Sequence, residues 1–104
     1  MNVWSVYLVR TVDGALYTGI TTDTARRLGA HREGRGAKAL RGRGPLTLVY
    51  RCRIGDRGLA QRVEARVKRL AKADKEALVQ KAPTRGRLLR AIDVIDVIDV
   101  KPRP

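Results

Sequence analysis

Two β-rich segments separated by a tight turn constrain the fold of this chain more than any other feature. Residues 3–10 and 15–21 are rich in β-branched and aromatic side chains, and Asp13-Gly14 lies between them. Alternating apolar segments around an Asp-Gly pair are a strong local signal for a β-hairpin. The N-terminal fifth of the chain is therefore predicted to form two antiparallel strands.

The length of the hairpin loop decides where the tyrosines of the two strands point. With a three-residue loop, Val12 to Gly14, Tyr7 pairs with Gly19 and Val9 pairs with Tyr17, so both phenols lie on one face of the sheet. A two-residue loop would place the two phenols on opposite faces. If both tyrosines serve one site, we expect the longer loop, with its glycine in the left-handed bulge position.

Further elements follow the hairpin at regular intervals. A helix is predicted from about residue 24 to Gly34, capped by Thr22 or Asp23. Residues 46–53 are typical of a third strand. Residues 59–71 have apolar side chains at helical spacing, and residues 74–80 suit a short helix that Ala82-Pro83 would end. The predicted order of elements is β-β-α-β-α-α.

The last fifth of the chain has a different pattern. A chain of 104 residues fits one domain with one small core. From Thr84 onward the sequence contains three copies of Ile-Asp-Val, at residues 92–100, and a period of three matches neither a strand nor a helix. We interpret residues 1–83 as the domain and residues 84–104 as a low-complexity extension outside it, either disordered or added to a sheet edge.

The charge of the chain indicates the class of partner. The net charge is +13, most of it within residues 1–83, and such an excess favours a polyanionic partner, above all nucleic acid. Association with the ribosome is an alternative of the same kind. Cys52 is the only cysteine, which excludes an internal disulfide and a cysteine-based metal site. No segment resembles a signal peptide or a bilayer span, so we expect a cytoplasmic protein that does not bind membranes.

Residues 34–45 form a predicted loop with four glycines and four basic residues. Mobile backbone N–H groups and cationic side chains suit contacts with phosphate. A solvated, flexible loop is the alternative interpretation. From this basic stretch and the helix before it we select four candidate substrate-binding residues: Arg26, Arg35, Lys38 and Arg41.

Five residues are candidates for one catalytic site. Tyr7 and Tyr17 come from the hairpin, and Arg27 and His31 lie four residues apart, one turn apart on one face of a helix. Glu64 is the single acid in a helical segment that is otherwise strongly basic. Each residue alone has an ordinary structural explanation, such as a cross-strand aromatic or a surface ion pair. As an ordered set they favour a single site.

In order and spacing these residues resemble the motifs of the GIY-YIG family. Ser5-Val6-Tyr7 resembles the first motif, Tyr17-Thr18-Gly19 the second, and the arginine and glutamate follow where the family has them. Residues 36–41, Gly-Ala-Lys-Ala-Leu-Arg, resemble the loop of the small stand-alone YhbQ-like subfamily. The resemblance covers about residues 1–81. It implies an α+β fold, with a three-stranded antiparallel sheet flanked by helices.

The resemblance also implies a chemistry. It predicts a metal-dependent endonuclease that uses a one-metal mechanism, with DNA favoured over RNA as the substrate. The cutting would be structure-selective or weakly selective, and it would serve DNA repair or processing. Glu64 would bind one Mg²⁺ (or Mn²⁺), since one carboxylate cannot hold a two-metal cluster. Arg27 would hold the phosphate and Tyr7 would activate water, while His31 and Tyr17 would hydrogen-bond the phosphate or shuttle a proton.

A second function stays open on the sequence alone. The family commonly has a late asparagine that supports the site, whereas Asn2 is the only asparagine of this chain. The alternative is a basic nucleic-acid-binding module that keeps the fold but has a decayed nuclease site. Metal-dependent cutting that requires Glu64 separates the two hypotheses.

Overall fold

Strands and helices follow one another in the order β-β-α-β-α-α-α over the residues that the structure describes. This computed structural model describes the backbone of residues 2–100 and the side chains of residues 2–92. The α+β class and the antiparallel sheet that the sequence predicts are confirmed. The elements are β1 (Trp4–Arg10), β2 (Leu16–Thr21), α1 (Thr24–Arg32), one 3₁₀ turn (Lys38–Leu40), β3 (Thr47–Gly55), α2 (Arg57–Arg69), α3 (Lys72–Lys81) and α4 (Arg85–Val100).

The sheet has the order β2-β1-β3, with β1 in the centre and antiparallel to both neighbours. Its hairpin has the longer loop, because Tyr7 pairs with Gly19 and Val9 pairs with Tyr17. Gly14 has a φ of +90°, the left-handed conformation that glycine adopts without steric cost. The register predicted from the sequence is therefore confirmed, and both phenols start from the same face.

Each face of the sheet has its own apolar cluster. Val6 and Leu8 of β1 point to one face, where α2 and α4 cover them. Tyr7 and Val9 point to the other face, where α1 and the basic loop (residues 34–45) lie. The first cluster is the larger: Val6, Leu8, Tyr50, Cys52, Ile54, Ala60, Val63, Val67, Leu78, Leu88 and Ile92. The second contains Tyr7, Val9, Leu40 and Leu46. Tyr7 is thus part of a core and of a potential site at once.

Polar contacts fix α1 and the basic loop that follows it. Asp23 caps α1 by accepting a hydrogen bond from the backbone N–H of Arg26 at 3.1 Å, as the sequence predicts. At the far end of the loop, Arg43 forms an ion pair of 3.0 Å with Asp13. The loop is therefore tied to the hairpin turn at one end and to α1 at the other.

Helix α4 changes the predicted domain organisation. Residues 84–92 belong to the core, because Leu88 and Ile92 are 1% and 3% exposed and pack in the larger cluster. Arg85 also donates a hydrogen bond of 2.6 Å to the carbonyl oxygen of Ile54 in β3. The interpretation of this segment as an extension outside the domain is therefore wrong for residues 84–92. The Ile-Asp-Val repeats have a helical backbone as far as Val100 rather than a strand at a sheet edge, and their side chains beyond Ile92 lie outside the described residues.

Within residues 2–100, no helix is both long enough and apolar enough to cross a membrane.

Candidate active site

An open cleft of about 420 Å³ lies beside the edge strand β2, lined by residues of β1, β2, α1 and α2. Four of the five predicted catalytic residues line it: Tyr7, Tyr17, Arg27 and Glu64. The remaining lining residues are Trp4, Gly19, Ile20, Thr21, Thr22, Arg57 and Gln61. Residues that are distant in sequence thus meet at one solvent-open surface.

His31, the fifth candidate, lies behind the cleft rather than on its wall. It is 3% exposed, and its Nε2 is 2.8 Å from the Oη of Tyr7. The ring of Tyr17 meets the imidazole edge-on, with 5.8 Å between the ring centroids. His31 therefore contacts both phenols, and its connection with the cleft runs through Tyr7.

The surroundings of Tyr7 act on its acidity in opposite directions. Burial raises the pKa of the phenol above its usual value, a hydrogen bond with Arg27 lowers it, and the nearby Tyr17 and Glu64 add to the rise. The net pKa is raised, so Tyr7 is a neutral phenol at pH 7 in this state. A cation near the carboxylate would offset the contribution of Glu64 and favour the ionised phenol.

Glu64 reaches the cleft from the middle of α2. Its side chain is 22% exposed, and one carboxylate oxygen is 3.4 Å from the Nζ of Lys68, one turn further along the helix. Within the part of the chain whose side chains the structure describes, no three His, Cys, Asp or Glu residues come together as a metal-binding group. Glu64 is the one carboxylate among the residues that line the cleft, so water or substrate oxygens would complete the coordination of a divalent ion there.

The four predicted substrate-binding residues lie outside the cleft. Arg26, Arg35, Lys38 and Arg41 are all exposed, on α1 and on the loop that follows it. Arg35 forms an ion pair with Glu33, in which Nη2 and Nε lie 2.5 and 2.9 Å from the same carboxylate oxygen. Their side chains are accessible to a long polyanion that extends past the cleft, and they are not in its wall.

The structure adds two cleft residues that the sequence interpretation left out of the site. Trp4 packs on the larger core but also lines the cleft, and the guanidinium of Arg57 lies 5.3 Å above its ring. Because Arg57 opens α2 and Trp4 opens β1, their proximity depends on the tertiary fold. No local pattern in the sequence signals it.

Gly19 is a third cleft residue that the sequence interpretation left out of the site, although the sequence does contain a pattern that indicates it. A Cβ at this position would lie 2.6 Å from Cζ of Tyr7, and closer still to its Oη. The phenol therefore lies across the backbone of β2. A glycine inside a strand, directly opposite a tyrosine in the predicted register, is typical of such a close approach.

The three-stranded antiparallel sheet thus brings two phenols, an arginine and one carboxylate to one open cleft. The sequence profile of the GIY-YIG catalytic domain matches residues 3–77. The chain therefore belongs to the GIY-YIG family of the nuclease superfamily of that name.

Relatives of the same size place the chain more closely within that family. It is 58% identical over 82 residues to UPF0213 proteins of Yersinia pestis and of Yersinia pseudotuberculosis serotype O:1b, an alignment that spans 79% of this chain and 86% of each relative. The solution NMR structure of the UPF0213 protein BH0048 from Bacillus halodurans has 45% sequence identity and a TM-score of 0.49, covering 77% of this chain and 84% of that one. The chain is thus similar to UPF0213 proteins over most of their length.

Proposed function

We propose that this protein is a metal-dependent endonuclease that hydrolyses DNA phosphodiester bonds with a single divalent ion. The observation that carries the proposal is the cleft itself, in which Tyr7, Tyr17, Arg27 and Glu64 converge although they belong to four different elements. Hydrolysis of a phosphodiester requires a held phosphate, an activated water and support for the leaving oxygen. The cleft has a residue suited to each requirement.

Arg27 is the residue suited to hold the phosphate. Its guanidinium lines the cleft and is close enough to Tyr7 to lower the pKa of that phenol. A planar guanidinium can donate two parallel hydrogen bonds to the non-bridging oxygens of a phosphate and stabilise charge that develops on them. The same contact would bring the scissile group next to the tyrosines.

Tyr7 is the residue suited to accept a proton from the attacking water. An ordinary phenol is a weak base at neutral pH because it is already protonated, and burial raises the pKa of this one further. The hydrogen bonds from His31 and Arg27 both favour the ionised phenol. We therefore expect cleavage to become faster as the pH rises, with Tyr17 available to hydrogen-bond the phosphate.

Glu64 is the residue suited to bind the metal. Magnesium is commonly held by one or two carboxylates together with water and substrate phosphates, which matches one half-buried carboxylate on an open cleft. Such an ion, Mg²⁺ or Mn²⁺, would supply a Lewis acid that stabilises the leaving oxygen. Since Lys68 is the present partner of this carboxylate, metal binding to the free protein should be weak and should strengthen when phosphate is bound.

The exposed basic residues outside the cleft suit a long, weakly selected substrate. Arg26, Arg35, Lys38 and Arg41 can contact the phosphate backbone, which positions DNA but carries no sequence information. We therefore infer structure-selective or weakly selective cutting of DNA, in repair or processing in the cytoplasm. Cleavage of branched and linear substrates of one sequence would measure this selectivity.

The test of the proposal is cleavage of supercoiled plasmid and of labelled branched and single-stranded DNA at low salt, with Mg²⁺ or with EDTA. The decisive variant is Glu64→Gln, and the matched control is Glu33→Gln, which removes the same charge from an exposed site on the loop side of α1. We expect metal-dependent cutting by wild type and by Glu33→Gln, and at least a hundredfold loss with Glu64→Gln. Cutting that survives Glu64→Gln would refute the assignment of this site.

The other candidate is a DNA-binding module without activity, favoured by the position of the only asparagine. Asn2 lines a separate depression together with Arg51 and Arg53 rather than the cleft, so it cannot replace a supporting asparagine of the family. Tight, salt-sensitive binding without cutting on any of the substrates would establish this alternative.

A further inference from the structure

Both nitrogens of the His31 imidazole have a hydrogen-bond partner, on opposite sides of the ring. Nε2 is 2.8 Å from Oη of Tyr7, and Nδ1 is 3.1 Å from the backbone nitrogen of Ala37. Because His31 is 3% exposed, water does not compete for either position. The ring therefore connects the basic loop with the catalytic phenol.

The partner of Nδ1 determines the direction of both hydrogen bonds. A backbone N–H can only donate, so Nδ1 of His31 must present its lone pair to Ala37. The proton of the neutral ring is then on Nε2, and Nε2–H donates to Oη of Tyr7. Burial and the neighbouring Arg27 lower the pKa of His31, which keeps the ring neutral and this arrangement intact.

We propose that the backbone N–H of Ala37 is a positioning group that holds His31 as a hydrogen-bond donor to Tyr7. The proposal deepens the proposed nuclease function and rests on it for its catalytic meaning. With Oη of Tyr7 accepting from Nε2–H, His31 stabilises the ionised phenol and does not take the proton of the phenol. The O–H of Tyr7 is left to point into the cleft, toward the phosphate and the attacking water.

Gly36 makes this contact between loop and ring possible. A Cβ at residue 36 would lie 2.8 Å from Cε1 of His31 and closer still to Nδ1. Both values are shorter than real Cβ contacts, so any side chain at this position would push the loop away from the imidazole. Gly36 is thus required by the close approach.

The same loop carries exposed cations immediately beyond the positioning amide. Lys38 follows Ala37 directly and opens the 3₁₀ turn, and Arg41 follows that turn. When these side chains bind a DNA backbone, the loop that contacts the substrate is also the loop that orients Tyr7 through His31. Displacement of the loop would then weaken the orientation of the phenol as well as the grip on DNA.

The test uses the fact that His31 is the only histidine of the chain. In ¹⁵N-labelled full-length protein, the two ring nitrogens give one set of signals whose shifts and couplings identify the tautomer without further assignment. Two variants at residue 37 test this contact. Ala37→Pro removes the N–H at a position whose φ of −60° suits proline, and its Cδ, which takes the place of the amide hydrogen, does not fit within the 3.1 Å between the backbone nitrogen and Nδ1, so the loop moves off the ring. Ala37→Ser keeps the N–H.

We expect wild type and Ala37→Ser to show the tautomer with hydrogen on Nε2. In Ala37→Pro we expect the chemical shifts of both ring nitrogens to move towards the averaged values of a free imidazole. In cleavage assays we expect kcat to fall about tenfold or more in Ala37→Pro, with a smaller rise in KM for DNA because Lys38 and Arg41 lie on the same loop. The charged and titratable groups around Tyr7 are His31 and Arg27, Tyr17 and Glu64, and none of them is substituted in these variants. A shift in the pH profile of kcat can therefore be assigned to the lost contact between the loop and His31.

The outcomes separate this inference from the proposed function. Hydrogen on Nδ1 in wild type would overturn the inference, even if no variant folds. Unchanged ring signals in Ala37→Pro would also overturn it. The expected tautomer pattern in a protein that cuts no DNA would support the positioning role of the loop while the nuclease function fails, because the NMR experiment needs no substrate.

Discussion

Replacement of Gly19 by alanine should damage stability and catalysis together, because the added methyl group meets the ring of Tyr7. The new Cβ would lie 2.6 Å from Cζ of Tyr7, whereas unstrained carbon contacts lie at about 3.5 Å or more. The ring must therefore move by about 1 Å. Tyr7 is 2% exposed within the smaller apolar cluster, so this movement displaces close-packed neighbours.

The size of both effects can be worked out from this movement. Overpacking in a core costs about 1–3 kcal/mol, which corresponds to a fall in Tm of roughly 5–20 °C for a domain of this size. A shift of about 1 Å can lengthen the hydrogen bond of 2.8 Å between Tyr7 and His31 beyond its useful range. A misplacement of about this size in an active site costs about 100-fold in rate.

Urea unfolding and plasmid cleavage measure the two effects side by side. The matched control is Gly29→Ala, because a Cβ on this glycine of α1 meets nothing within 4 Å and alanine favours a helix. In a Tyr7→Phe background the destabilisation by Gly19→Ala should persist, since Cζ is still present. Wild-type stability and cleavage in Gly19→Ala would refute the argument.

Two further predictions concern charged residues. Arg57→Ala should lower kcat/KM for DNA more than Arg62→Ala does, because Arg57 lies in the cleft wall over Trp4 and Arg62 is exposed elsewhere on α2. If both arginines act only as diffuse charge, DNA titrations over a range of salt concentrations would show equal losses of affinity in the two variants. Glu76 has a pKa lowered from 4.5 to about 2 by Arg10 and Lys72, so its contribution to stability is present above about pH 4.5 and is lost as the pH falls towards 2. Thermal unfolding should therefore show that Glu76→Gln is less stable than wild type at pH 7 and that the difference shrinks by pH 3, and a difference that does not depend on pH would contradict this assignment.

The hairpin register was predictable from the sequence because it depends on short distances along the chain, whereas candidate residues as far apart as Tyr7 and Glu64 were brought together by their resemblance to the GIY-YIG motifs. Asp13-Gly14 fixes the turn, and the register then follows from the alternation of side chains across the sheet. The contact of Ala37 with His31 was not predictable, because the backbone of an irregular loop has no periodicity that indicates where it folds back. The stacking of Arg57 on Trp4 was beyond prediction for the same reason, since it joins two elements more than fifty residues apart.

The error over residues 84–92 has a different physical origin. The repeat of Ile-Asp-Val has a period of three, and this dominated the interpretation of the whole segment. The informative residues lie before the repeat and at its first position, where Leu88, Leu89 and Ile92 have the spacing of a helical apolar face. Leu88 and Ile92 are buried and Leu89 is partly buried against the same cluster.

Because of helix α4, the folded core of this chain extends beyond the segment that matches the GIY-YIG family. The family match ends at residue 77, whereas the described core continues to Ile92. Burial of a large aliphatic side chain contributes about 1.5–3 kcal/mol, so Leu88 and Ile92 together supply roughly 3–6 kcal/mol. That is a large share of the 5–15 kcal/mol that typically stabilises a domain. Transplanting only the matched residues 3–77 into another protein would keep α2 on the sheet but would remove the buried side chains of Leu88 and Ile92 that pack in the same cluster.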